Sequence, residues 1–425
     1  MSSRFPSVPL VDLCEVTIGR QRSPKNHSGD HMVQYLRAAN VKDGRLDLSN
    51  IMAMNFDPCE QESYALRRGD ILVTEGCGSP AELGASARWN DDLTGTVCFQ
   101  NTLLRLRARP GISDPGYLYL LARWCQSSGA WLTASSGTSI LHIGHTRAKK
   151  IPVPVPTLDV QRKIGFVVSA YDDLIENNKR RIKLLEEMAQ RIYREWFVDF
   201  RYPGHEAVPL VDSELGSIPE GWTACSLSDL VSTQYGYTES ATSKPIGPRF
   251  LRGMDINKTS YVDWSRVPYC PIAASDLDRY RLVRGDVLVI RMADPGKVGI
   301  VEQDVNAVFA SYLIRVRPID ARIDPYVLFY FMSSDQYQSF VSGASTGTTR
   351  KSLSAPLITS ISTALPPSEL QQLFVSQVAP LRGLVTGLVS ANTTLRNSRD
   401  LLLPRLISGE IDVTDLDIAI PEAAA

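Results

Sequence analysis

Apolar residues follow a helical spacing through two long stretches of the chain. Between residues 164 and 196, and again between residues 374 and 406, apolar side chains occur at alternating intervals of four and three residues. This spacing keeps them on one face of a helix for about five heptads and is typical of a coiled coil. Each stretch follows a proline-rich break, at residues 151–156 and 364–367, that ends the preceding structure. The pattern predicts two long helices, residues 156–200 and 367–410.

Both apolar faces contain an asparagine. In an antiparallel pair centred on residues 180 and 390, Asn178 lies opposite Asn392, and a buried amide pair fixes the register of a coiled coil at some cost in stability. Two independent polar interruptions are the alternative. Pro380, Gly383 and Gly387 are expected to bend or weaken the second helix. The central seam is predicted to consist of Ile175, Asn178, Ile182 and Leu185 in the first helix and Val385, Leu388, Asn392 and Leu395 in the second.

The other parts of the chain favour short strands. Residues 1–155 and 222–366 contain β-like runs such as "DILV" (70–73) and "YLIRV" (312–316). Each also contains a helix start, because Asp114-Pro115 and Asp324-Pro325 combine an N-cap residue with proline at the first helical position. Both are therefore predicted to be mixed α+β domains. Residues 201–221 are predicted as a linker and residues 411–425 as a C-terminal tail.

The two halves of the chain repeat each other. "LRRGDILV" (66–73) is matched by "LVRGDVLV" (282–289), "YLRAANV" (35–41) by "FLRGMDI" (250–256), and "IPVPVPTLDVQRKI" (151–164) by "ISTALPPSELQQLF" (361–374). Matches in the same order, at an offset that falls from 217 to 210 residues, indicate a duplicated domain, because the period is too long for a solenoid. The repeated Arg-Gly-Asp phrase is interpreted as scaffold: a turn and a core strand that deliver a variable loop.

Composition narrows the function classes only slightly. The chain has a formal net charge of −1, which neither supports nor excludes a nucleic-acid partner, since a local basic patch decides that question. Seven scattered cysteines without a CxxC pair argue against a disulfide framework or zinc site and fit a reducing cytosol. The N-terminus lacks a signal-peptide pattern, and uninterrupted apolar runs are too short to span a bilayer. A cytoplasmic protein without membrane contact is expected.

Catalytic motifs are not found in the sequence. "DPGY" (114–117) is the nearest string to the Asn/Asp-Pro-Pro-Tyr/Phe motif with which adenine methyltransferases grip a flipped base, but it lacks the second proline. A P-loop string is also missing, and the five histidines do not have metal-ligand spacing. We therefore predict no catalytic and no metal-binding residues.

Three phrases carry a family resemblance. They are "LLEEMAQRIYREWFVDF" (184–200), "DSELGSIPEGW" (212–222) and "LLLPRLISGEIDV" (401–413). Together with the duplicated architecture, they make the chain resemble the specificity subunit of a type I restriction–modification enzyme over essentially its whole length. The resemblance implies an α+β protein in which two β-rich, mixed target recognition domains are joined by two long helices packed as an antiparallel coiled coil.

The resemblance also implies a function. Each β-rich domain would read one half of a bipartite, asymmetric target in double-stranded DNA, and the coiled coil would set the gap between the halves. The chain would bind two modification subunits, which methylate adenine N6, and up to two restriction subunits. It would hold no cofactor itself; S-adenosylmethionine, ATP and Mg are expected on the partner subunits.

Three kinds of loop in each half suit contact with DNA. Two of them are glycine-rich loops, at residues 74–88 and 135–150 in the first half and 291–299 and 345–354 in the second. Glycine allows close approach to phosphate, and Arg, Lys, Ser and Thr supply contacts. The third is an early polar segment, residues 19–26 and 234–240. The predicted DNA-binding residues are Arg20, Arg22, Ser79, Thr138, His142, Arg147, Lys149, Tyr235, Tyr237, Arg291, Lys297, Thr348, Arg350 and Lys351.

Other interpretations stay open at this point. A Gly/Ser/Thr loop is commonly just a turn, and a Lys/Arg cluster is commonly a solvated face. At the level of function, the alternatives are a self-contained DNA methyltransferase or nuclease, and a protein scaffold that does not read DNA sequence.

Overall fold

The chain folds into two units, each with one β-rich domain and one end of each long helix. In the computed structural model, residues 4–42, 44–80, 82–344 and 352–420 are described. Unit 1 comprises Met1–Leu174 and Leu395–Ala425, and unit 2 comprises Ile175–Thr394.

Within the described part of unit 1, a four-stranded antiparallel sheet, the first central sheet, organises the domain. Its strands lie in the order Cys14–Ile18, Leu103–Ala108, Ile71–Thr74 and Ser86–Arg88. Both faces of the sheet are buried, because Val73 packs in a core with helix Pro115–Ser127, whereas the adjacent Leu72 packs in a second core with Trp89. Burial on both faces explains why the three residues after Asp70 in "DILV" form a continuous apolar run rather than an alternating one.

Shorter elements complete the domain of unit 1. The other strands are Ser7–Pro9, Met32–Leu36, Val41–Lys42, Arg45–Leu46, Met52–Asn55, Gly76–Cys77, Val97–Phe99, Ser135–Ser136, Leu141–Ile143 and Pro152–Pro154, and the other short helices are Leu10–Leu13, Pro24–Asn26, Ala38–Asn40, Pro58–Tyr64, Ala130–Thr133 and His145–Ala148.

Unit 2 contains the same sheet in the same order, the second central sheet. Among the described residues its strands are Val231–Tyr235, Leu313–Pro318, Val287–Ile290 and Val298–Ile300. The register also repeats, since Leu104 pairs with Val73 in unit 1 and Ile314 pairs with Val289 in unit 2. The other strands are Leu210–Ser213, Gly216–Pro219, Thr223–Ser226, Arg249–Leu251, Ala307–Phe309 and Ser362–Leu365, and the other short helices are His205–Ala207, Leu227–Asp229, Gly253–Asp255, Ala274–Tyr280, Pro325–Ser333, Asp335–Ala344 and Ala355–Thr359.

The repeated Arg-Gly-Asp phrase is a turn closed by a buried ion pair. Gly69 has φ +90°, the left-handed conformation that this position of a type II turn requires. Asp70 is 1% exposed and receives two bonds of 2.7 Å from the guanidinium of Arg107, on the adjacent strand. In unit 2, Gly285 has φ +93°, and the buried Asp286 is held in the same way by the residue equivalent to Arg107. The prediction that the phrase is scaffold agrees with this geometry.

A buried glutamine ties each domain to the start of its long helix. In unit 1 the Gln161 side chain accepts a 2.9 Å hydrogen bond from the Asp114 N–H and donates to the carbonyls of Ile112 and Pro156. Gln371 makes the corresponding three bonds in unit 2, with Asp324 at 2.8 Å. Because the two carboxylates also cap their helices as predicted, accepting from backbone N–H groups, each Asp-Pro corner is locked to the long helix that follows it.

The two long helices match the predicted ranges. The first runs over Leu158–Tyr193 and continues into a π-helical segment, Arg194–Val198, and the second runs over Ser368–Ser408. The second helix is continuous through Pro380, Gly383 and Gly387, so these residues do not interrupt it. Open space surrounds the two glycines.

The seam between the helices forms as the heptad pattern predicts, and in each unit the two segments run antiparallel. Every predicted seam residue is buried or half-buried, and in unit 2 Ile182 packs with Val385 and Val389. Asn178 Nδ2 donates to Asn392 Oδ1 at 3.0 Å. The predicted contact between these two amides is therefore confirmed, with Asn392 only 2% exposed.

A charged junction joins the domain to both helices in each unit. In unit 1, Asp172 on the first long helix pairs with Arg399 on the second at 2.5 Å and with Arg123 of the domain at 3.6 Å. In unit 2, Arg382 on the second helix, 1% exposed, pairs with Glu302 of the domain at 2.6 Å. Burial opposes the charge of Arg382, but the hydrogen bonds and charge of Glu302 raise its pKa above the ordinary arginine value.

In unit 2 the charged junction also includes a residue of the first long helix. Glu186 lies 3.8 Å from Arg382 and accepts a hydrogen bond from Ser260 of the domain. Ser260 also accepts from Arg382 through its hydroxyl at 2.8 Å and its carbonyl at 3.0 Å. The polar groups of this junction are therefore largely satisfied by one another, as buried charges require.

Two sequence expectations need correction. The linker, residues 201–221, forms a strand hairpin, and Tyr202 and Ile218 belong to the core of unit 2. The second is the expectation that the chain has no membrane-spanning segment, which rested on uninterrupted apolar runs only. Among the described residues, helix Ser368–Ser408 has an 18-residue window of mean hydropathy 1.3, apolar enough for a span. Core helices pass the same test, and this helix carries the buried Arg382 and Asn392.

We expect replacement of Asp70 by Ala to lower the free energy of unfolding by about 3 kcal/mol or more, because Arg107 loses the partner of a buried ion pair. Chemical denaturation of the full chain measures this effect. Asp286→Ala should cost less, since Arg317 is 36% exposed, against 18% for Arg107, and can recover hydration. The exposed Asp30 is the control, with an expected change within about 0.5 kcal/mol. Equal effects of Asp70→Ala and Asp30→Ala would contradict the scaffold role.

The seam can be tested with two neighbouring positions on the first long helix. Ile182→Asp places a charge in the seam and should lower the thermal unfolding midpoint by several degrees, because Ile182 is 3% exposed. Leu184→Asp is the matched control, since Leu184 is 58% exposed and lies outside the seam. Differential scanning calorimetry of both variants decides, and similar midpoints would contradict the observed packing.

Candidate nucleic-acid interface

Two of the loops predicted to contact DNA meet in a small sheet of unit 1. Leu141–Ile143 pairs on one side with Ser135–Ser136 and on the other with Gly76–Cys77, which directly follows the repeated core strand. Residues directly opposite one another in an antiparallel sheet share a face. Ser136, His142 and Gly76 are opposite one another, so residues 135–150 and the segment after "DILV" form one surface.

This surface combines acidic, basic and hydroxyl groups. His142 Nδ1 lies 2.9 Å from a carboxylate oxygen of Glu75, and the two side chains are 55% and 14% exposed. Arg147, also exposed, donates to the Ser136 hydroxyl at 2.6 Å. A β-carbon at residue 76 would lie 3.0 Å from the His142 ring, so glycine there leaves room for the imidazole. We name Glu75, Ser136, His142 and Arg147 the first polar cluster.

Unit 2 repeats this arrangement with different side chains. Met292 forms an antiparallel bridge with Ser352, and Arg291 accepts a backbone hydrogen bond of 2.9 Å from Leu353. The Arg291 guanidinium lies 4.6 Å from the ring centre of Tyr235, which is 40% exposed. Within the described residues, Arg291 Nε is buried without a hydrogen-bond partner. Arg291 and Tyr235 form the second polar cluster.

The side chains of Arg20 and Tyr237, from the early polar segments, make contacts within their own units rather than projecting freely as the sequence predicted. Arg20 lies 2.6 Å from Glu60, donates to the Asn55 carbonyl and lies over the Phe56 ring, so its charge is used inside unit 1. Tyr237 occupies the equivalent position, because each forms a parallel bridge in its unit, to Gln100 and Ala310. Its ring packs against Tyr280 with centroids 5.1 Å apart.

These two residues therefore contribute to packing, and the structure favours neither as a free DNA contact. Arg22, two residues beyond Arg20, is exposed.

The remaining predicted residues occupy varied surroundings. Thr138 and Lys297 are exposed, whereas Ser79 and Lys149 are half-buried. Lys297 lies across the hairpin from the core strand of unit 2, where its carbonyl accepts from Ile290. Thr348, Arg350 and Lys351 lie outside the described residues.

Within the described part of the chain, no group of three or more His, Cys, Asp or Glu side chains suits a metal ion. Burial raises the pKa of the thiols of Cys14 and Cys98 to about 12, so both remain protonated at neutral pH and are poor nucleophiles. Asp114 of the "DPGY" string caps a helix, accepting from the Tyr117 N–H at 2.9 Å.

Glu75 and Ser136 were not identified from the sequence. The signal for Glu75 was present, because it follows the repeated strand just as Arg291 does, but the prediction sought basic and amide side chains. Ser136 differs, since its place depends on strand pairing between segments far apart in the chain.

Comparisons with known proteins agree with the family resemblance. Residues 3–187 match the family described as type I restriction modification DNA specificity domain. Two similar proteins are specificity subunits of the MjaIX and MjaVIII type I restriction enzymes of Methanocaldococcus jannaschii. The first is 26% identical over 363 residues, covering 82% of this chain and 79% of the relative. The second is 24% identical over 392 residues, covering 90% and 87%.

The fold also matches a solved structure. The crystal structure of the type I restriction–modification system S subunit from M. genitalium superimposes with a TM-score of 0.53 at 14% identity, covering 95% of this chain and 96% of that one. This likeness confirms the predicted α+β fold class.

Proposed function

We propose that this chain, whose residues 3–187 match the family described as type I restriction modification DNA specificity domain, reads a bipartite, asymmetric target in double-stranded DNA. Each β-rich domain would read one half of the target. The chain would serve a host-defence system in the cytoplasm and would be non-catalytic by itself.

One observation carries the proposal: the same scaffold presents different polar groups at the same place. The central sheets share strand order and register, and both fix the start of the variable loop with a buried aspartate. At that place unit 1 has Glu75 and His142, and unit 2 has Arg291 and Tyr235. Two similar domains with different polar surfaces are suited to reading two different base sequences, because base edges differ in their donors and acceptors.

The partners are proposed from the duplication and the resemblance. Two similar halves in one chain can bind two identical subunits, which would be modification subunits that methylate adenine N6. Restriction subunits, up to two, would complete the assembly. S-adenosylmethionine, ATP and Mg would then be bound by these partners.

Two other functions can be separated from this one. A self-contained methyltransferase would transfer a methyl group when the purified chain alone is mixed with DNA and S-adenosylmethionine. A scaffold that does not read sequence would give no protected site when the assembled complex is footprinted on DNA.

Mapping of methylated adenines in cells tests the proposal directly. Cells would express the chain with modification subunits of its own system, and the expected result is a motif of two specific parts with an unspecified gap. Exchange of residues 1–155 for the corresponding domain of another specificity subunit should change one part and keep the other. Methylation without a bipartite motif, or a change in both parts, would contradict the assignment of one domain to each half-site.

Lys297→Ala tests whether the surface of unit 2 contacts phosphate. The variant complex should bind every DNA sequence more weakly, and the slope of log affinity against log salt should become shallower by about 0.9, as for loss of one phosphate contact. Fluorescence anisotropy at several salt concentrations measures both. Lys183→Ala, on the first long helix with the side chain 79% exposed, should leave the slope unchanged. An unchanged slope for Lys297→Ala would remove this residue from the interface.

A further inference from the structure

One backbone position in each domain is fixed by the same hydrogen bonds but carries opposite charge. In unit 1 the N–H of Glu75 donates to the Thr102 carbonyl at 2.9 Å, and its own carbonyl accepts from Ile143 at 2.7 Å. In unit 2 Arg291 makes both bonds, each at 2.9 Å, to the residues 210 positions further along. The buried Asp–Arg pair holds the strand that leads to this position in both units. A rigid strand end suits a residue whose placement must be accurate.

Among the described residues, the Arg291 side chain is stacked on an aromatic ring and its Nε has no acceptor. Its guanidinium lies against the Tyr235 ring at 4.6 Å, and stacking of this kind holds the plane of the group while leaving its N–H edge free. The Tyr235 ring is held in turn, because its hydroxyl accepts from the Ala355 N–H at 2.9 Å. No described acceptor bonds to the buried Nε. Because Nε is buried, only the terminal N–H groups of the guanidinium can reach a ligand, and a positioned guanidinium is suited to an acceptor pair there.

We infer that Arg291 reads a guanine in the second half-site. The inference rests on the proposed function and names the chemistry of one contact in the second domain. The O6 and N7 atoms of guanine form an acceptor pair in the major groove, and a guanidinium is the side chain that binds this pair with two hydrogen bonds.

The equivalent position in unit 1 does not present a guanidinium. The Glu75 carboxylate is 14% exposed and bonded to His142, whose ring is the exposed member of the pair. A base at this place would meet the imidazole before the carboxylate, so the guanidinium contact with guanine is assigned to unit 2 alone.

A phosphate contact is the competing role for Arg291, and the two roles give different results. A base contact acts at one base pair, whereas a phosphate contact acts on all sequences alike and contributes to the salt slope. The test uses the full chain in complex with its modification subunits. The probes are the duplex that carries the mapped target and duplexes in which each base pair of either half-site is changed in turn.

For Arg291→Ala we expect a loss of affinity for the target on the order of 10- to 100-fold, with discrimination lost at a single G·C pair of the second half-site and kept elsewhere. Arg291→Lys should recover part of the affinity and little of the discrimination, because an ammonium cannot form the paired bonds. Equal weakening on all duplexes, with a shallower salt slope, would identify a phosphate contact and overturn the inference. A second half-site without a G·C pair would overturn it as well.

The variants at Tyr235 separate positioning from folding. Tyr235→Phe keeps the ring and should keep discrimination, whereas Tyr235→Leu should weaken discrimination at the same G·C pair as Arg291→Ala. Thermal unfolding confirms that each variant is folded. If the complex without any substitution showed no sequence preference, that result would instead contradict the proposed function.

Discussion

The buried Asp–Arg pair is the constraint on which the rest of each domain depends. Asp70 and Asp286 are at most 1% exposed, and a carboxylate that far from water is tolerated only with a close, hydrogen-bonded partner. Arg107 and Arg317 meet this need with two bonds each from the neighbouring strand. The pair fixes the turn against the central strand and so fixes where the next loop begins. Variation in that loop then changes the surface without moving the scaffold.

The features that the sequence predicted well are those encoded by local pattern. The heptad spacing gave both long helices and the seam with its Asn178–Asn392 contact, since spacing alone places residues on a helix face. The Asp-Pro corners predicted two helix starts correctly, because capping and proline geometry act within a single turn. The repeat predicts that the two domains share a scaffold, and the shared register confirms it.

Contacts between residues far apart in the sequence account for what local patterns could not predict. Arg20 was predicted to face DNA because it lies in a basic segment, but tertiary contacts give it Glu60 and Asn55 as partners. Composition cannot tell a solvated arginine from one that a distant carboxylate neutralises. Glu75 was overlooked for the converse reason. Its importance comes from the strand that brings His142 beside it, 67 residues further along the chain.

The charged junctions show how duplicated halves remain distinct. Position 172 of the first helix and position 382 of the second are equivalent in the repeat, but one is aspartate and the other arginine. Each is matched by an opposite charge from its own domain, Arg123 in unit 1 and Glu302 in unit 2. Exchange of the two domains between junctions would bring Arg123 towards Arg382 and Glu302 towards Asp172. Like charges at these contacts would be unfavourable, so each helical end favours its own domain, although the two scaffolds are nearly the same.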